Sequence, residues 1–136
     1  MSEEWIKLTT ESGRFATKWD KAVMVRTTTL DALCQEYGPP AFVKIDVEGH
    51  ELAVLRGLSR PIRALSFEFT TESIQKIFSC LAHLDQIASY EFNYSFGETM
   101  ELHLAEWKSL SEIQASLSCV DALGWGDIYA QLRLHS

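Results

Sequence analysis

The chain of 136 residues sets 19 Asp+Glu against 12 Lys+Arg, a formal net charge of -7, in a composition that is 46% hydrophobic and 23% charged. That balance is globular, gives one domain with a real core across 1–136, and excludes membrane-spanning and disordered classes. The basic residues do not cluster, so the electrostatic footprint of a nucleic-acid binder is missing.

Cys34, Cys80 and Cys119 are odd in number, widely spaced and without a CxxC pair. They fit buried thiols in a reducing compartment better than a disulfide framework or a zinc site, so the cytoplasm is the expected location. Met1–Thr10 is acidic at Glu3 and Glu4 and holds no long apolar run, which gives neither a signal peptide nor a membrane span.

The first segment reads as loop-rich, with Trp5–Leu8 and Val23–Val25 as candidates for short strands around the polar stretches Glu11–Gly13 and Lys18–Lys21. Thr28 with Asp31 resembles a capping box, and Leu30, Leu33, Cys34 and Tyr37 follow at helical spacing until Gly38. Pro39 and Pro40 stop that helix, and Ala41–Val47 is an apolar run suited to a parallel strand covered on both faces. Leu52, Leu55 and Leu58 suggest a short helix ending near Gly57, and Ala64–Phe69 is the next strand. Thr70 or Thr71 caps a longer helix whose apolar stripe is Ile74, Ile77, Phe78, Leu81 and Leu84. Tyr90, Phe92, Tyr94 and Phe96 alternate with polar residues and predict a strand with a buried aromatic face. Ser109 and Glu112 form a second capping box, and a last strand after Gly126 places Ile128, Ala130, Leu132 and Leu134 on one side. The expectation is a three-layer α/β fold, a mixed sheet of four main strands flanked by helices.

Charge collects where the first long strand ends, at Asp46, Glu48, Gly49, His50 and Glu51. Open α/β sheets bind ligands at the carboxyl ends of their strands, so this is the candidate reaction centre. By strand parity Lys44 and Asp46 share one sheet face, as do Ser66 and Glu68, and neighbouring strands would join Lys44, Asp46 and Glu68 into one polar strip. A structural Lys44–Glu68 ion pair is the favoured reading for the lysine, and a functional role is favoured for Asp46 at the lip. Glu48 either projects into the cleft or stabilises the next helix through its dipole. Gly49 supplies a tight turn. Asp46, Glu48 and His50 within one turn are weak evidence for a metal, and no metal site is assigned. His83 reads as a solvated helix residue, and His103 and His135 have no partner pattern. No Ser or Cys nucleophile elbow or triad is present.

Several of these segments together resemble one family. Val25-Arg26-Thr27-Thr28-Thr29-Leu30-Asp31-Ala32-Leu33, Lys44-Ile45-Asp46-Val47-Glu48-Gly49-His50-Glu51, Val54-Leu55-Arg56-Gly57-Leu58 and Leu65-Ser66-Phe67-Glu68-Phe69 look like the FkbM methyltransferase pattern in its usual order. The resemblance continues through Phe92-Asn93-Tyr94-Ser95 and Trp125-Gly126-Asp127-Ile128-Tyr129, and it covers the second half of that pattern.

The resemblance implies a partial Rossmann-like methyltransferase fold and methyl transfer from S-adenosylmethionine to a hydroxyl oxygen of a small-molecule acceptor, such as a sugar or other natural-product scaffold. It places Asp46, Glu48 and Glu68 in catalytic positions, with Asp46 the first choice to take the acceptor proton and orient the cationic donor, Asp46 and Gly49 toward the cofactor, and Glu48 and His50 toward the acceptor. A nucleoside-binding turn needs closely spaced glycines after a first strand, and of the seven glycines only Gly124 and Gly126 are near each other, too late to open such a unit. The chain is therefore expected to be truncated relative to the family and incomplete as an enzyme alone, to expose an apolar edge at Ala41–Val47, and to pair across it as a homodimer or with a missing N-terminal half. The alternatives are a non-catalytic binding or interaction remnant and, ranked lower, an acid-lined metalloenzyme.

Overall fold

The structure, a computed structural model, describes residues 22–134. The expected Trp5–Leu8 strand, the two polar stretches before residue 22 and His135 lie outside the described residues. In chain order the elements are α1 (Leu30–Tyr37), β1 (Val43–Ile45), α2 (Glu51–Arg56), β2 (Ala64–Thr70), a 3₁₀ turn (Thr71–Ser73), α3 (Ile74–Ile87), β3 (Tyr90–Phe96), α4 (Leu110–Ser118) and β4 (Trp125–Leu132). One mixed sheet results, in the order β1-β2-β4-β3, with β1 parallel to β2 and β4 antiparallel to both of its neighbours. The expected α/β architecture with four strands and helices is present.

Register explains why one face becomes the core. Ile45, Phe67, Ile128 and Tyr94 lie in one row across the four strands, and Val43, Leu65, Ala130 and Phe92 lie in the next row on the same side. Phe67, Leu65, Phe92 and Ile128 are fully buried, each contributing about 1.5–3 kcal/mol relative to exposure. Helix α3 supplies Ile77, Leu81 and Leu84 to this core and α4 supplies Ile113 and Leu117. Aromatic packing continues to the edge, where Phe69 meets Tyr94 edge-on at 5.9 Å. The Tyr90 hydroxyl donates to the Ile62 carbonyl at 2.7 Å and accepts the Ile62 N–H at 2.9 Å, which pins the approach to β2.

Several expectations are corrected. Thr29, not Thr28, caps α1, accepting the Ala32 N–H at 3.1 Å. Asp31 leaves the cap altogether: it accepts the N–H and hydroxyl of Ser59, bonds that hold its carboxyl below the usual range. The strand expected over Ala41–Val47 shrinks to three residues, because β1 has one neighbour among the described residues and the backbone turns sharply after Val47. Val23–Val25 forms no strand and is exposed, and Leu134 falls beyond β4 and is exposed. Thr70 bonds Ser73 rather than capping α3 directly, since a 3₁₀ turn intervenes. His83 is half-buried against the Leu58 carbonyl, and His103 stacks on Tyr94 at 5.0 Å. Of the three free cysteines only Cys80 is buried. The Ser109–Glu112 capping box is formed as expected.

Candidate functional site

The site begins at an unusual turn. After Ile45 enters the core, the chain leaves the sheet and passes through two successive left-handed residues, Glu48 at φ 50 and Gly49 at φ 93. Glycine adopts this conformation freely, whereas a residue with a side chain loses roughly 1–2 kcal/mol there. The Gly49 N–H donates to Glu51 Oε1 at 3.0 Å and the His50 N–H to the Val47 carbonyl at 3.3 Å, so Glu51, itself buried, holds the turn shut. His50 stands exposed at the N-cap of α2 and makes no side-chain cap bond. Glu48 does not cap either: its Oε2 is buried with no hydrogen-bond partner among the described residues.

Beside this turn the sheet presents a row of acids. Register pairs Ile45 with Phe67 and Glu68 with Asp127, so Asp46, one residue past the last pair of β1, comes alongside Glu68. Ser95 continues the row on β3. Burial of Glu68, reinforced by the negative charges of Glu48, Asp46, Glu51 and Asp127, raises its carboxyl to about 7. Glu48 is also raised, first by burial and then by Asp46 and Glu51. The expected Lys44–Glu68 pair is not formed. Lys44 reaches over the neighbouring strand to Asp127, because it pairs in register with the short Ser66, which leaves the path open. Burial together with the surrounding acids keeps the Glu68 proton in place to near neutrality.

Glu68 and Gly49 line a narrow cleft together with Glu51, Phe69, Thr70, Ser73, Lys76 and Cys80, whose enclosed space of about 20 Å³ has room for a single water. Asp46 and His50 are exposed outside that lining, and Glu48 lies between them. The Cys80 thiol is pushed up to about 12, chiefly by burial, so no thiolate nucleophile is available there. Among the described residues no group of three His, Cys, Asp or Glu side chains could hold a metal ion, and no helix is long and apolar enough to cross a membrane. Chemically the cleft offers carboxylates that accept hydrogen bonds and one carboxyl poised to exchange a proton near pH 7. Sequence reasoning missed the roles of Glu51 and Asp127. An acid two residues after a turn glycine was a readable signal for the first, while the second depends on a strand pairing that spacing does not reveal.

The raised carboxyl has a consequence for stability. Between the ordinary value of 4.5 and about 7 the folded chain holds a proton on Glu68 that the unfolded chain has released. Stability therefore falls as pH rises through that window and levels off above it. Thermal melts should show a higher midpoint at pH 5 than at pH 8, and Glu68→Gln should flatten most of the difference. Equal midpoints in the unsubstituted chain at both pH values would contradict the assignment.

A mixed α/β sheet with carboxylates gathered where its parallel strands end is a methyltransferase-like arrangement. The family model of the methyltransferase FkbM domain matches residues 3–106, and the chain belongs to that family. The matched range takes in both the Lys44–Glu51 run and the Leu65–Phe69 strand and ends before Trp125. No curated protein matches the chain.

Proposed function

We propose that this chain forms the acceptor side of an S-adenosylmethionine-dependent methyl transfer to a hydroxyl oxygen. The observation that carries the reading is Glu68: a half-buried carboxyl raised to about 7, at a strand end, beside Asp46 and Glu48, in a member of a methyltransferase family. A general base works best when its pKa lies near the operating pH, so Glu68 takes the acceptor's hydroxyl proton. Asp46, first in line for that role on sequence grounds, is exposed at the lip and faces the cationic end of the donor instead. Glu48 Oε2, buried and without a hydrogen-bond partner among the described residues, is the acceptor for a second hydroxyl. Gly49 lets the backbone come close, and His50 stands at the acceptor entrance.

The residues present fit the donor only in part. Carboxylates suit a sulfonium, but the adenosine portion needs closely spaced backbone N–H groups, and these 136 residues contain no glycine-rich turn that would give them. When bound, the cofactor supplies the electrophilic methyl group; everything this chain does is to orient the acceptor and move its proton. The adenosine cradle comes from polypeptide outside these residues, either an N-terminal half or a second chain, and β1, with its one described neighbour, is the edge that receives it. The free thiols Cys34, Cys80 and Cys119 support a reducing, cytoplasmic setting. Titration of the isolated chain with S-adenosylmethionine tests the reading. Binding weaker than micromolar is expected, and micromolar binding would show that a cradle exists where none is assigned.

A further inference from the structure

Trp125 belongs to neither the acid row nor the core. Successive strand residues face opposite sides, so Trp125, Asp127 and Tyr129 share one face while Gly126, Ile128 and Ala130 are buried on the other. The Lys44–Asp127 link identifies that first face as the one carrying Glu68. Trp125 therefore stands one row beyond Glu68, Asp127 and Ser95, about 7 Å along β4 from Asp127 and at the end of the sheet where the acids collect. Its carbonyl accepts the Gly97 N–H at 2.9 Å. The indole lies over Gly97, where an added Cβ would meet the ring at 3.6 Å. Gly126, the next residue, is packed so closely on β3 that an added Cβ would lie 1.8 Å from the Ser95 carbonyl oxygen. Exposed aromatics are ordinary on protein surfaces. This one, 40% exposed, stands one row from the carboxylates of Asp127 and Glu68.

We infer that Trp125 is the platform for the acceptor: the indole takes the C–H face of a hydroxylated ring while Asp127 and Glu68 accept hydrogen bonds from the ring's hydroxyls. The inference rests on the methyl-transfer reading only in naming this ligand the acceptor. An indole presents a flat apolar surface, and a carboxylate next to it accepts from a hydroxyl. A wholly apolar ring would further desolvate Glu68 without offering it a hydrogen-bond partner, which costs more than the stacking returns. The ligand class that satisfies both surfaces is an amphipathic polyol ring.

The test uses the full chain grown with 5-fluorotryptophan, its four tryptophans resolved by fluorine NMR and the Trp125 resonance identified by Trp125→Phe. Methyl α-glucopyranoside is the probe and trimethylsulfonium the counter-probe. A saturable, millimolar shift of the Trp125 resonance with the pyranoside is expected, with Trp107 unmoved. Followed on the Ser95 and Gly97 amides, Trp125→Ala should weaken pyranoside binding about tenfold, and Trp125→Phe, which keeps a smaller ring, by less. A Trp125 resonance unmoved by the pyranoside, or moved by trimethylsulfonium alone, overturns the inference. If the alanine variant fails to fold, the unsubstituted chain and Trp125→Phe still decide it. No turnover is measured, so failure here leaves the methyl-transfer reading intact, and failure of that reading in a kinetic assay leaves these shifts intact.

Discussion

Alanine at Gly126 is expected to cost at least about 3 kcal/mol and to lower the thermal midpoint by about 10 °C. The added Cβ would sit 1.8 Å from the Ser95 carbonyl oxygen, 2.9 Å from the Ser95 carbonyl carbon and 3.0 Å from the Phe96 Cα. All three atoms are backbone, so no side-chain rotation can relieve the clash. β3 and β4 must separate locally, and β4 is the strand that joins β2 to β3. For a fold whose whole stability is of the order of 5–15 kcal/mol that is a large fraction. The contrasting control is Gly38→Ala. Nothing lies within 4 Å of a Cβ there, so its cost is that of φ +87 alone and should be smaller. Calorimetry of the two variants checks the ordering, and a Gly126→Ala chain that melts with the unsubstituted protein would show that the close approach of β3 and β4 is wrong.

With Glu68 as the proposed general base, Glu68→Gln is expected to slow methyl transfer by about 10²–10⁴-fold wherever the chain is assayed with a competent cofactor site. Glutamine keeps the shape and the acceptor oxygen but cannot take a proton. The loss should therefore appear in kcat with little change in the acceptor's KM, because what is removed acts in the transition state. The pH profile separates this from simple misfolding: the unsubstituted enzyme should gain rate up to about 7 as Glu68 ionises, and the variant should lose that limb. A variant that keeps full turnover would move the base to Asp46, the choice suggested by the sequence.

Much of the fold was legible because local signals and the final packing agree. The stripe of α3 and the alternation of β3 each encode one face, and burial follows both patterns. The Ser109–Glu112 box marked the start of α4 for the same reason. Failures came where tertiary context decides. Val43–Ile45 is shorter than its apolar run because the strand has one described neighbour and the Glu48–Gly49 turn follows at once. Thr28 and Asp31 have the spacing of a cap, but Ser59, twenty-eight residues away, captures the aspartate. At the site, parity correctly put Lys44 and Glu68 on one face, yet parity cannot say that β4 inserts beside β2 and brings Asp127 within reach of the lysine. That insertion also diverts the expected cation and adds Asp127 to the acids around the half-buried Glu68, and neither its burial nor this pairing is readable from spacing.

Carbon-detected NMR titration of the Glu68 side-chain carboxyl is the most direct measurement, because the acid row, the diverted lysine and the proton-accepting role all meet in that group. A midpoint near 7 is expected, moving down in Glu48→Gln as a neighbouring negative charge is removed. A midpoint in the ordinary carboxylate range near 4.5, unaffected by Glu48→Gln, would contradict the site.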